Sequence, residues 1–360
     1  MATIVESDLK YIHSRFDEKD QLEGKKILIT GCAGFLGFYF MHYLARHGQE
    51  LGLQEVIGLD NFKIQRPEWL SQLSDEHAGL VSIHDFDVVK GDLGGIQGAE
   101  DADYVIHLAS IASPTFYRKY PVETFDANVW GLRKLLDFYR STKLSGLLYF
   151  SSSEVYGDPA PEAIPTDESY YGNVATIGPR ACYDESKRFG ETICYVYNNE
   201  FSMPISIVRP FNNYGPGMSP EDKRVPADFA KSVMSGEDIT IFSDGSPTRT
   251  FCYVTDAIVG YLKALAYEPF DYFNIGIESP EIRVIDLAQI YVDAASTVLG
   301  TSHDILIQAP PEANYLTHNP NRRCPDIKKA RQLLNFAPEI SVEQGVERFI
   351  RYLVESQGTA

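Results

Sequence analysis

Tyr183 and Lys187 stand four residues apart in a segment that the sequence pattern predicts to be a helix. Side chains separated by four positions are neighbours on a helix. A free phenol has a pKa of about 10 and is a poor base near pH 7, but a cation held beside it favours the ionised form. The pair could therefore accept a proton from an alcohol, although the same spacing also occurs by chance between two surface residues.

A glycine loop, GCAGFLG (31–37), follows a predicted strand and opens a predicted helix. Glycines at such a junction let the backbone approach a pyrophosphate, and the helix N-terminus supplies N–H donors. The loop alone is weak evidence, because tight turns also use glycine for steric reasons. The second predicted strand ends at Asp60, where a carboxylate can bond the ribose hydroxyls of adenosine and would repel a 2′-phosphate. These residues predict NAD rather than NADP as the cofactor.

Ser152, Ser153 and Glu154 lie at the end of another predicted strand, upstream of the tyrosine. A serine hydroxyl at this strand end could bond a substrate hydroxyl. A nucleotide loop, a strand-end serine and a later Tyr-x-x-x-Lys together predict a hydride-transfer site. In that site Tyr183 takes the proton of a secondary alcohol as its hydride passes to NAD⁺.

A sheet is needed to position these residues. Short apolar runs alternate with helical stretches, at 25–30, 55–60, 86–92, 103–110, 146–153 and 204–210. Near-continuous apolar strands separated by helices indicate a parallel sheet covered on both faces, with ligands at its carboxyl edge. The run 272–276 predicts one more strand that could return to this sheet. The predicted fold is α/β: a Rossmann-type doubly wound parallel sheet with a smaller C-terminal α+β substrate-binding domain.

Two more strand ends are expected to contact the cofactor. The end of the third predicted strand, at Asp92 and Leu93, is expected to contact the adenine. The end of the fourth, at 108–110, is expected to contact the nicotinamide ribose. Asp92 could equally be a simple turn residue, and His107 is expected to be a hydrogen-bonded core histidine rather than a catalyst. The expected cofactor-binding residues are Gly31, Gly34, Phe35, Leu36, Gly37, Asp60, Asn61, Asp92, Leu93, Leu108, Ala109, Ser110, Asn128, Tyr183 and Lys187.

Composition limits the classes of partner. The chain has 360 residues, with 32 basic and 50 acidic residues and a formal net charge of −18. That balance argues against nucleic acid and anionic membranes, but a local arginine cluster can still bind a small anion. Five scattered cysteines without a CxxC pair indicate reduced thiols. With no run of 18 apolar residues and no signal-peptide core, we expect a cytoplasmic protein. The eight histidines form no HExxH-like set, so no metal is predicted.

Three regions are expected along the chain. They are an N-terminal extension (1–22), an NAD-binding Rossmann domain (23–210, with a return strand near 250–277) and a substrate-binding region (211–355). In the extension, Leu9, Ile12 and Phe16 are spaced for a short docked helix, with a loose tail as the alternative. Ser341 and Gln344 predict a capping box at the start of the last helix.

Six segments have sequences typical of one enzyme group. They are HLASIASP (107–114), SSSEVYGDP (151–159), YYGNVATIGPRACYDESKR (170–188), RPFNNYGP (209–216), TRTFCYVTD (248–256) and NRRCPDIKKA (321–330). Through them the chain resembles the extended short-chain dehydrogenases/reductases that act on nucleotide sugars, and within these the UDP-glucuronate decarboxylase (UDP-xylose synthase) group. It departs from the group at Ile111, usually Pro, at Ser186, commonly glycine or another small residue, and in the loop 218–224.

The resemblance implies a reaction. The C4 hydroxyl of UDP-glucuronate is oxidised, the resulting β-keto acid loses CO₂, and re-reduction gives UDP-xylose or a related UDP-pentose. The related 4,6-dehydratases carry an acidic Asp where Ser153 stands, and 4-epimerases typically lack a carboxylate at the Glu154 position, so both rank as alternatives. An alternative from another class is a non-catalytic NAD(H)-binding sensor or scaffold, against which the intact Ser153, Tyr183 and Lys187 argue.

The resemblance also implies site residues and an assembly. The catalytic set is Tyr183, Lys187, Ser152, Ser153 and Glu154, and the set for the UDP-sugar is Ser113, Asn212, Arg249, Arg323 and Tyr253. Asn212 and Arg249 match family positions that bind the diphosphate of the substrate, and Arg323 matches a family arginine near the reacting end of the sugar. Arg180 lies in the signature without an assigned role. A homodimer is expected, joined through the Tyr183 helix and the helix that follows Asn128.

Overall fold

The computed structural model describes residues 2–309 and 320–357. Its strands are, in chain order, β1 (Lys26–Thr30), β2 (Glu55–Asp60), β3 (Val81–Asp85), β4 (Tyr104–His107), β5 (Gly146–Phe150), β6 (Ile205–Pro210), β7 (Asn213–Tyr214), β8 (Ile239–Ile241), β9 (Thr248–Arg249), β10 (Cys252–Tyr253), β11 (Asp271–Ile275), β12 (Ile282–Arg283), β13 (Ile305–Ile307) and β14 (Arg322–Arg323). The helices are α1 (Ile4–Arg15), α2 (Phe35–His47), α3 (Glu68–Glu76), α4 (Pro114–Lys119), α5 (Pro121–Asp126), α6 (Leu132–Tyr139), α7 (Ala181–Phe201), α8 (Val225–Met234), α9 (Val254–Leu265), α10 (Val284–Leu299), α11 (Lys328–Leu334) and α12 (Val342–Gln357).

A seven-stranded parallel sheet forms the centre, in the order β11-β6-β5-β4-β1-β2-β3. The chain builds outward from β1 to β3, then returns to β4 on the other side of β1 and continues to β11. Ligands of doubly wound sheets bind where the strand order reverses, outside the carboxyl ends of the strands. The predicted Rossmann-type fold is confirmed, and so is the return of the strand predicted at 272–276, since β11 pairs with β6.

Helices cover both faces of the sheet, because its central strands are apolar on both sides. On β1, Ile27 and Ile29 join the core beneath α2 and α9, whereas Leu28 faces the core beneath α6 and α7. The edge strand β3 is only partly buried. The strand predicted at 86–92 is wrong, because the edge strand ends at Asp85 and the apolar residues that follow it lie outside the sheet.

The N-terminal extension forms the docked helix α1. Leu9, Ile12 and Phe16 are buried against the sheet domain. Asp8 has no solvent exposure and accepts a hydrogen bond from Arg348 of α12. Such buried ionic contacts fix the helix in one position, because an unpaired buried carboxylate would be strongly unfavourable.

A smaller region of short strands and helices completes the chain. Strand β9 pairs with β12 and β14, and the parallel register with β14 places Arg323 opposite Arg249. At the start of α12 the predicted capping box is confirmed, with reciprocal hydrogen bonds between Ser341 and Gln344 of 3.2 and 3.3 Å. Across residues 2–309 and 320–357, no helix combines the length and apolar character needed to cross a bilayer.

Candidate active site

A cleft of about 680 Å³ opens at the carboxyl ends of the parallel strands. The glycine loop and the ends of β2, β4 and β5 line one part of it, and residues of β9 and β14 line another. The sheet and the smaller region thus contribute facing walls. The cleft lies where the strand order reverses, which is the position expected for a nucleotide ligand.

The glycine loop has the geometry of a phosphate cradle. Gly31 has φ +74°, and a Cβ there would lie 2.7 Å from the main-chain nitrogen of Ala109. A Cβ at Gly37 would lie 2.3 Å from the main-chain oxygen of Cys32, so helix and loop pack too closely for any side chain. At Gly34 a Cβ would meet only the Gly31 oxygen within 4 Å, which leaves the backbone open to a ligand.

The start of α2 and two nearby polar groups also fit NAD. No side chain caps α2, whose first-turn N–H groups have no acceptor within the helix, and both Phe35 and Leu36 line the cleft. The Ser110 hydroxyl is buried and has no hydrogen-bond partner among the described residues, so it is free to meet a ligand. The Asp60 carboxylate also lines the cleft, as do Asn61, Leu108 and Ala109. Together these residues fit a dinucleotide that carries a pyrophosphate and ribose hydroxyls.

The Asp60 carboxylate is anchored by the loop itself. Its oxygens accept hydrogen bonds from the main-chain N–H groups of Ala33 at 3.0 Å and Phe62 at 2.8 Å. Burial raises its pKa, and these two hydrogen bonds oppose the rise. The carboxylate is therefore fixed at the end of β2, as a ribose-binding acid must be.

Three expected cofactor residues lie outside the cleft lining. Asp92 caps the 3₁₀ turn that follows it, accepting a hydrogen bond from Gly94 N at 3.1 Å, which fits the turn alternative, and Leu93 is a core residue. Asn128 lies in a π-helical turn, Ala127–Gly131, and its amide donates to Ser186 Oγ at 2.8 Å. The contact of Asp92 and Leu93 with the adenine stays a prediction, and Asn128 joins the π-helical turn to α7.

Tyr183 and Lys187 lie one turn apart on α7, as predicted, and both line the cleft. Burial raises the pKa of Tyr183 to about 12, partly offset by a hydrogen bond with Ser152. Burial lowers the pKa of Lys187 to about 7, and its Nζ donates to the Phe150 main-chain oxygen at 2.6 Å. The expectation that Lys187 makes the phenol acidic is therefore wrong for the ligand-free site, where burial dominates both groups.

His107 is a buried, neutral histidine. Its Nδ1 lies 2.8 Å from the Thr30 hydroxyl, and burial lowers its pKa to about 3. It does not line the cleft among the described residues. The structure therefore places it in the core, as expected.

Glu154 is held between two arginines beside the tyrosine. Arg323 donates to both carboxylate oxygens, at 2.5 and 2.7 Å, and Arg180 forms a second ion pair with the same carboxylate. Burial opposes the ionisation of Glu154, but the positive charges of Arg180 and Arg323 outweigh it and hold its pKa well below the usual range. Ser153, just before it, also lines the cleft.

The expected substrate residues divide into two groups. Asn212, Arg249 and Ser113 line the cleft, and burial lowers the pKa of Arg249 to about 9, with the charge of Arg323 adding to the effect. Tyr253 does not line it. Its hydroxyl donates to Asp8 at 2.7 Å on the far side of β10, so the assignment of Tyr253 to the substrate is corrected.

Sequence reasoning missed three residues of the cleft. The ring of Tyr117 stacks on that of Tyr183, with centroids 5.1 Å apart, and its buried hydroxyl has no partner among the described residues. The positive charge of Arg224 lowers the pKa of Tyr183. Arg180 lay in the signature segment without a role. No spacing in the sequence signals these contacts, because each joins distant elements.

One group of potential metal ligands lies elsewhere in the described residues. Ligand atoms of His13, His47 and Glu50 lie within 4.8 Å of one another where α1 meets α2. Each imidazole already has a Glu50 oxygen at 3.0 or 3.2 Å, and the rings are stacked with an interplanar angle of 10°. Parallel rings do not direct their nitrogen lone pairs at one point, so hydrogen bonding explains the group.

Comparison with known proteins agrees with this geometry. A family model described as the NAD dependent epimerase/dehydratase family matches residues 27–276. The chain is 36% identical over 344 residues to UDP-glucuronic acid decarboxylase 1 of Danio rerio, an alignment that covers 95% of this chain and 75% of that protein. It is 32% identical over 321 residues to UDP-glucuronic acid decarboxylase 6 of Arabidopsis thaliana, which covers 89% of this chain and 86% of that protein.

Solved structures have the same fold. The UDP-glucuronic acid 4-epimerase of Bacillus cereus, crystallised with UDP-glucuronic acid and NAD, has a TM-score of 0.75 and 27% identity, covering 92% of this chain and 99% of that one. The dTDP-glucose 4,6-dehydratase DesIV of Streptomyces venezuelae has a TM-score of 0.78 and 22% identity, covering 93% and 98%. At that identity the second comparison supports the fold alone.

Proposed function

The chain belongs to the NAD dependent epimerase/dehydratase family, and from this we propose that it is an NAD-dependent decarboxylase of a nucleotide sugar acid. The substrate we propose is UDP-glucuronate, and the product UDP-xylose or a related UDP-pentose. Curated relatives that share 32–36% identity over most of the chain are UDP-glucuronic acid decarboxylases, which supports this choice.

The observation that carries the proposal is the charge arrangement at the reacting end of the cleft. Two buried arginines, Arg180 and Arg323, face a single carboxylate, Glu154, beside Tyr183. Asp184 also pairs with Arg180, but burial raises the pKa of its carboxyl, so the buried site keeps an excess of positive charge. A sugar acid bound with its carboxylate there would neutralise that charge, whereas a neutral hexose would not.

The residues divide the work of such a reaction. NAD⁺, when bound, would accept the hydride from C4 and later return it. Tyr183 takes the proton of the C4 hydroxyl, which Ser152 or Ser153 orients, and gives a proton back in the final reduction. Arg323 binds the sugar carboxylate until the bond from C5 breaks and CO₂ leaves, with the bonding electrons passing into the C4 ketone as an enolate. Glu154 orients the sugar or the water that protonates C5.

One position separates this reaction from dehydration. A 4,6-dehydratase has to protonate the departing C6 hydroxyl, and Ser153 occupies the place of the acid that does so in that group. A serine hydroxyl does not act as an acid near neutral pH. We therefore propose no dehydratase activity.

A UDP-glucuronate 4-epimerase is the second candidate, because a solved structure of that activity shares 27% identity and the fold. It would use the same oxidation at C4 but retain the carboxylate. Incubation with NAD⁺ and UDP-glucuronate separates the two: we expect CO₂ and a UDP-pentose, with no UDP-galacturonate. A UDP-hexuronate epimer without CO₂ would replace the decarboxylase with the epimerase.

A homodimer in a reducing compartment such as the cytoplasm is part of the proposal. Large apolar side chains are exposed side by side on α5, the π-helical turn and α7, including Phe125, Trp130 and Val196. Tyr197, also on α7, does not join them, because it is buried within the subunit and its hydroxyl donates to Asp137 at 2.6 Å. The five cysteines are all free thiols, which supports a reducing environment.

A further inference from the structure

Arg180 is held on three sides at the start of α7. Its guanidinium pairs with Glu154, its Nε lies 3.4 Å from Asp184 Oδ2, and its Cζ lies 5.9 Å from the ring centroid of Tyr117. Its side chain is only 6% exposed. Three contacts from different elements leave this guanidinium in a single orientation.

Arg323 is held differently. Among the described residues, every hydrogen bond from its guanidinium goes to Glu154, and it lies on the two-residue strand β14. Its side chain is 7% exposed and lines the cleft. The fixed arginine and the less restrained one therefore approach the same carboxylate from opposite walls of the cleft.

We infer that Arg180 is a positioning residue that keeps Glu154 paired while Arg323 turns to the carboxylate of the sugar. This inference rests on the proposed decarboxylation. If Arg323 were the only partner of Glu154, its transfer to a substrate would leave a buried carboxylate unpaired, which is strongly unfavourable. With Arg180 in place, two cations serve two carboxylates, one from the protein and one from the substrate.

Asp184 supports this arrangement. It lies one turn after Arg180 on α7, and burial together with the negative charge of Glu154 raises its pKa above the usual range, against the charge of Arg180. Because this shift disfavours the ionised carboxyl, Asp184 holds Arg180 in place while opposing its charge less than an ordinary aspartate would. Arg180 is therefore free to neutralise Glu154.

The charged and titratable groups that face Glu154 come from four elements. They are Arg180, Tyr183 and Asp184 of α7 and its start, Arg323 of β14, Arg249 of β9 and Tyr117 of α4. Among these, Arg180 and Arg323 do most to keep Glu154 ionised. Removing Arg180 should therefore raise the pKa of Glu154, so that it loses its charge at a higher pH.

The test measures CO₂ release from UDP-glucuronate by the NAD-loaded protein carrying Arg180→Gln, Arg180→Lys, Glu154→Gln or the double change Arg180→Gln/Glu154→Gln. Truncating one partner of a buried ion pair predicts that Arg180→Gln lowers kcat at least about 30-fold, with partial recovery in Arg180→Lys. Because Arg180 acts through Glu154, adding Arg180→Gln to Glu154→Gln should change kcat by less than about threefold. Arg46→Gln, which removes an exposed ion pair with Glu76, is the control and should leave kcat unchanged.

A pH profile gives the second readout. Activity that needs ionised Glu154 is lost as pH falls through its pKa, so Arg180→Gln should move the acid limb of kcat/KM to higher pH by at least about one unit. Asp184→Asn added to Arg180→Gln removes the other carboxyl, and the shifted limb should persist. Additive losses in the double variant, or an unmoved acid limb, overturn the inference. Absence of CO₂ from the unaltered protein would instead reject the proposed function.

Discussion

Two buried tyrosines, Tyr183 and Tyr253, are expected to serve different purposes in this protein, one in catalysis and the other in stability. Tyr183 and Tyr253 both belong to segments typical of the enzyme group, yet only Tyr183 lines the cleft. Changing each to phenylalanine removes a single oxygen atom. The structure predicts opposite results for the two variants.

The Tyr253 hydroxyl donates to Asp8 at 2.7 Å, and the acceptor has no solvent exposure. A hydrogen bond to a charged group contributes about 1.5–3 kcal/mol. A chain of 360 residues unfolds with an entropy of about 0.75 kcal/mol/K, so Tyr253→Phe should lower Tm by about 2–4 °C. Since the residue does not reach the cleft, kcat/KM should stay within about twofold of the unaltered value.

The Tyr183 hydroxyl has the opposite surroundings. Its partner is the hydroxyl of Ser152 at the cleft, where water can replace the lost bond. Tyr183→Phe should therefore change Tm by less than about 1 °C, and loss of the proton acceptor should lower kcat by about 10²–10⁴-fold. NAD affinity should be nearly unchanged.

Thermal unfolding and CO₂ release measured on the same preparations decide the matter. Tyr39→Phe is a matched control, because the Tyr39 hydroxyl donates to the same Asp8 oxygen at 2.5 Å and should reproduce the Tm shift without loss of activity. A more than tenfold loss of kcat/KM in Tyr253→Phe with an unchanged Tm would refute the reasoning. Full activity of Tyr183→Phe would refute the assignment of the base.

Three further predictions concern the cofactor loop, pH and assembly. Gly37→Ala forces helix and loop apart, which should lower stability by about 1–3 kcal/mol and weaken NAD binding by calorimetry, whereas Gly95→Ala, with open space around it, should do neither. Burial lowers the pKa of Lys187 from its usual 10.5 to about 7 in the folded protein. Between these two pH values the Lys187 amine is protonated only in the unfolded chain. The stability of the NAD-free protein should therefore rise with pH across this window. Lys187→Met should flatten that rise in a plot of Tm against pH. Trp130→Glu should convert the proposed dimer to a monomer in size-exclusion chromatography, while Val354→Glu on α12, equally a charge on an exposed apolar site, should not.

The sequence predicted the sheet well where its strands are buried on both faces. Strand β2 was predicted with its observed bounds. Strand β5 was predicted with its correct first residue and β6 with its correct last residue, and the other end of each was correct within a few residues. The edge strand β3 was not predicted, because it is partly exposed and carries polar residues and so has no continuous apolar run. The apolar residues Phe86 and Val88 lie beyond the end of β3 and line the cleft. Their apolar side chains made this segment of the sequence resemble a buried strand.

The site was predictable where a motif is local. The spacing of Tyr183 and Lys187 and that of the glycines follow from one helix and one loop. The ion pair between Arg180 and Glu154 was not predictable, because the two residues come from different segments of the chain, and the same holds for the pair between Arg323 and Glu154. Tyr253 was misassigned because it lies four residues after Arg249, which does line the cleft, but it points to the opposite side.

The proton of Tyr183 shows why local spacing was insufficient for the chemistry. The Lys187 ammonium donates to the Phe150 carbonyl, and burial makes both the phenol and the amine favour their neutral forms. A phenol with a pKa of about 12 holds its proton at pH 7, so the ligand-free protein contains no formed base. The charge of Arg224 alone does not reverse this, and a further positive charge has to enter the cleft before the phenol can ionise. We therefore expect proton abstraction by Tyr183 to be coupled to cofactor binding, so that the sugar is oxidised only by protein that already holds the hydride acceptor.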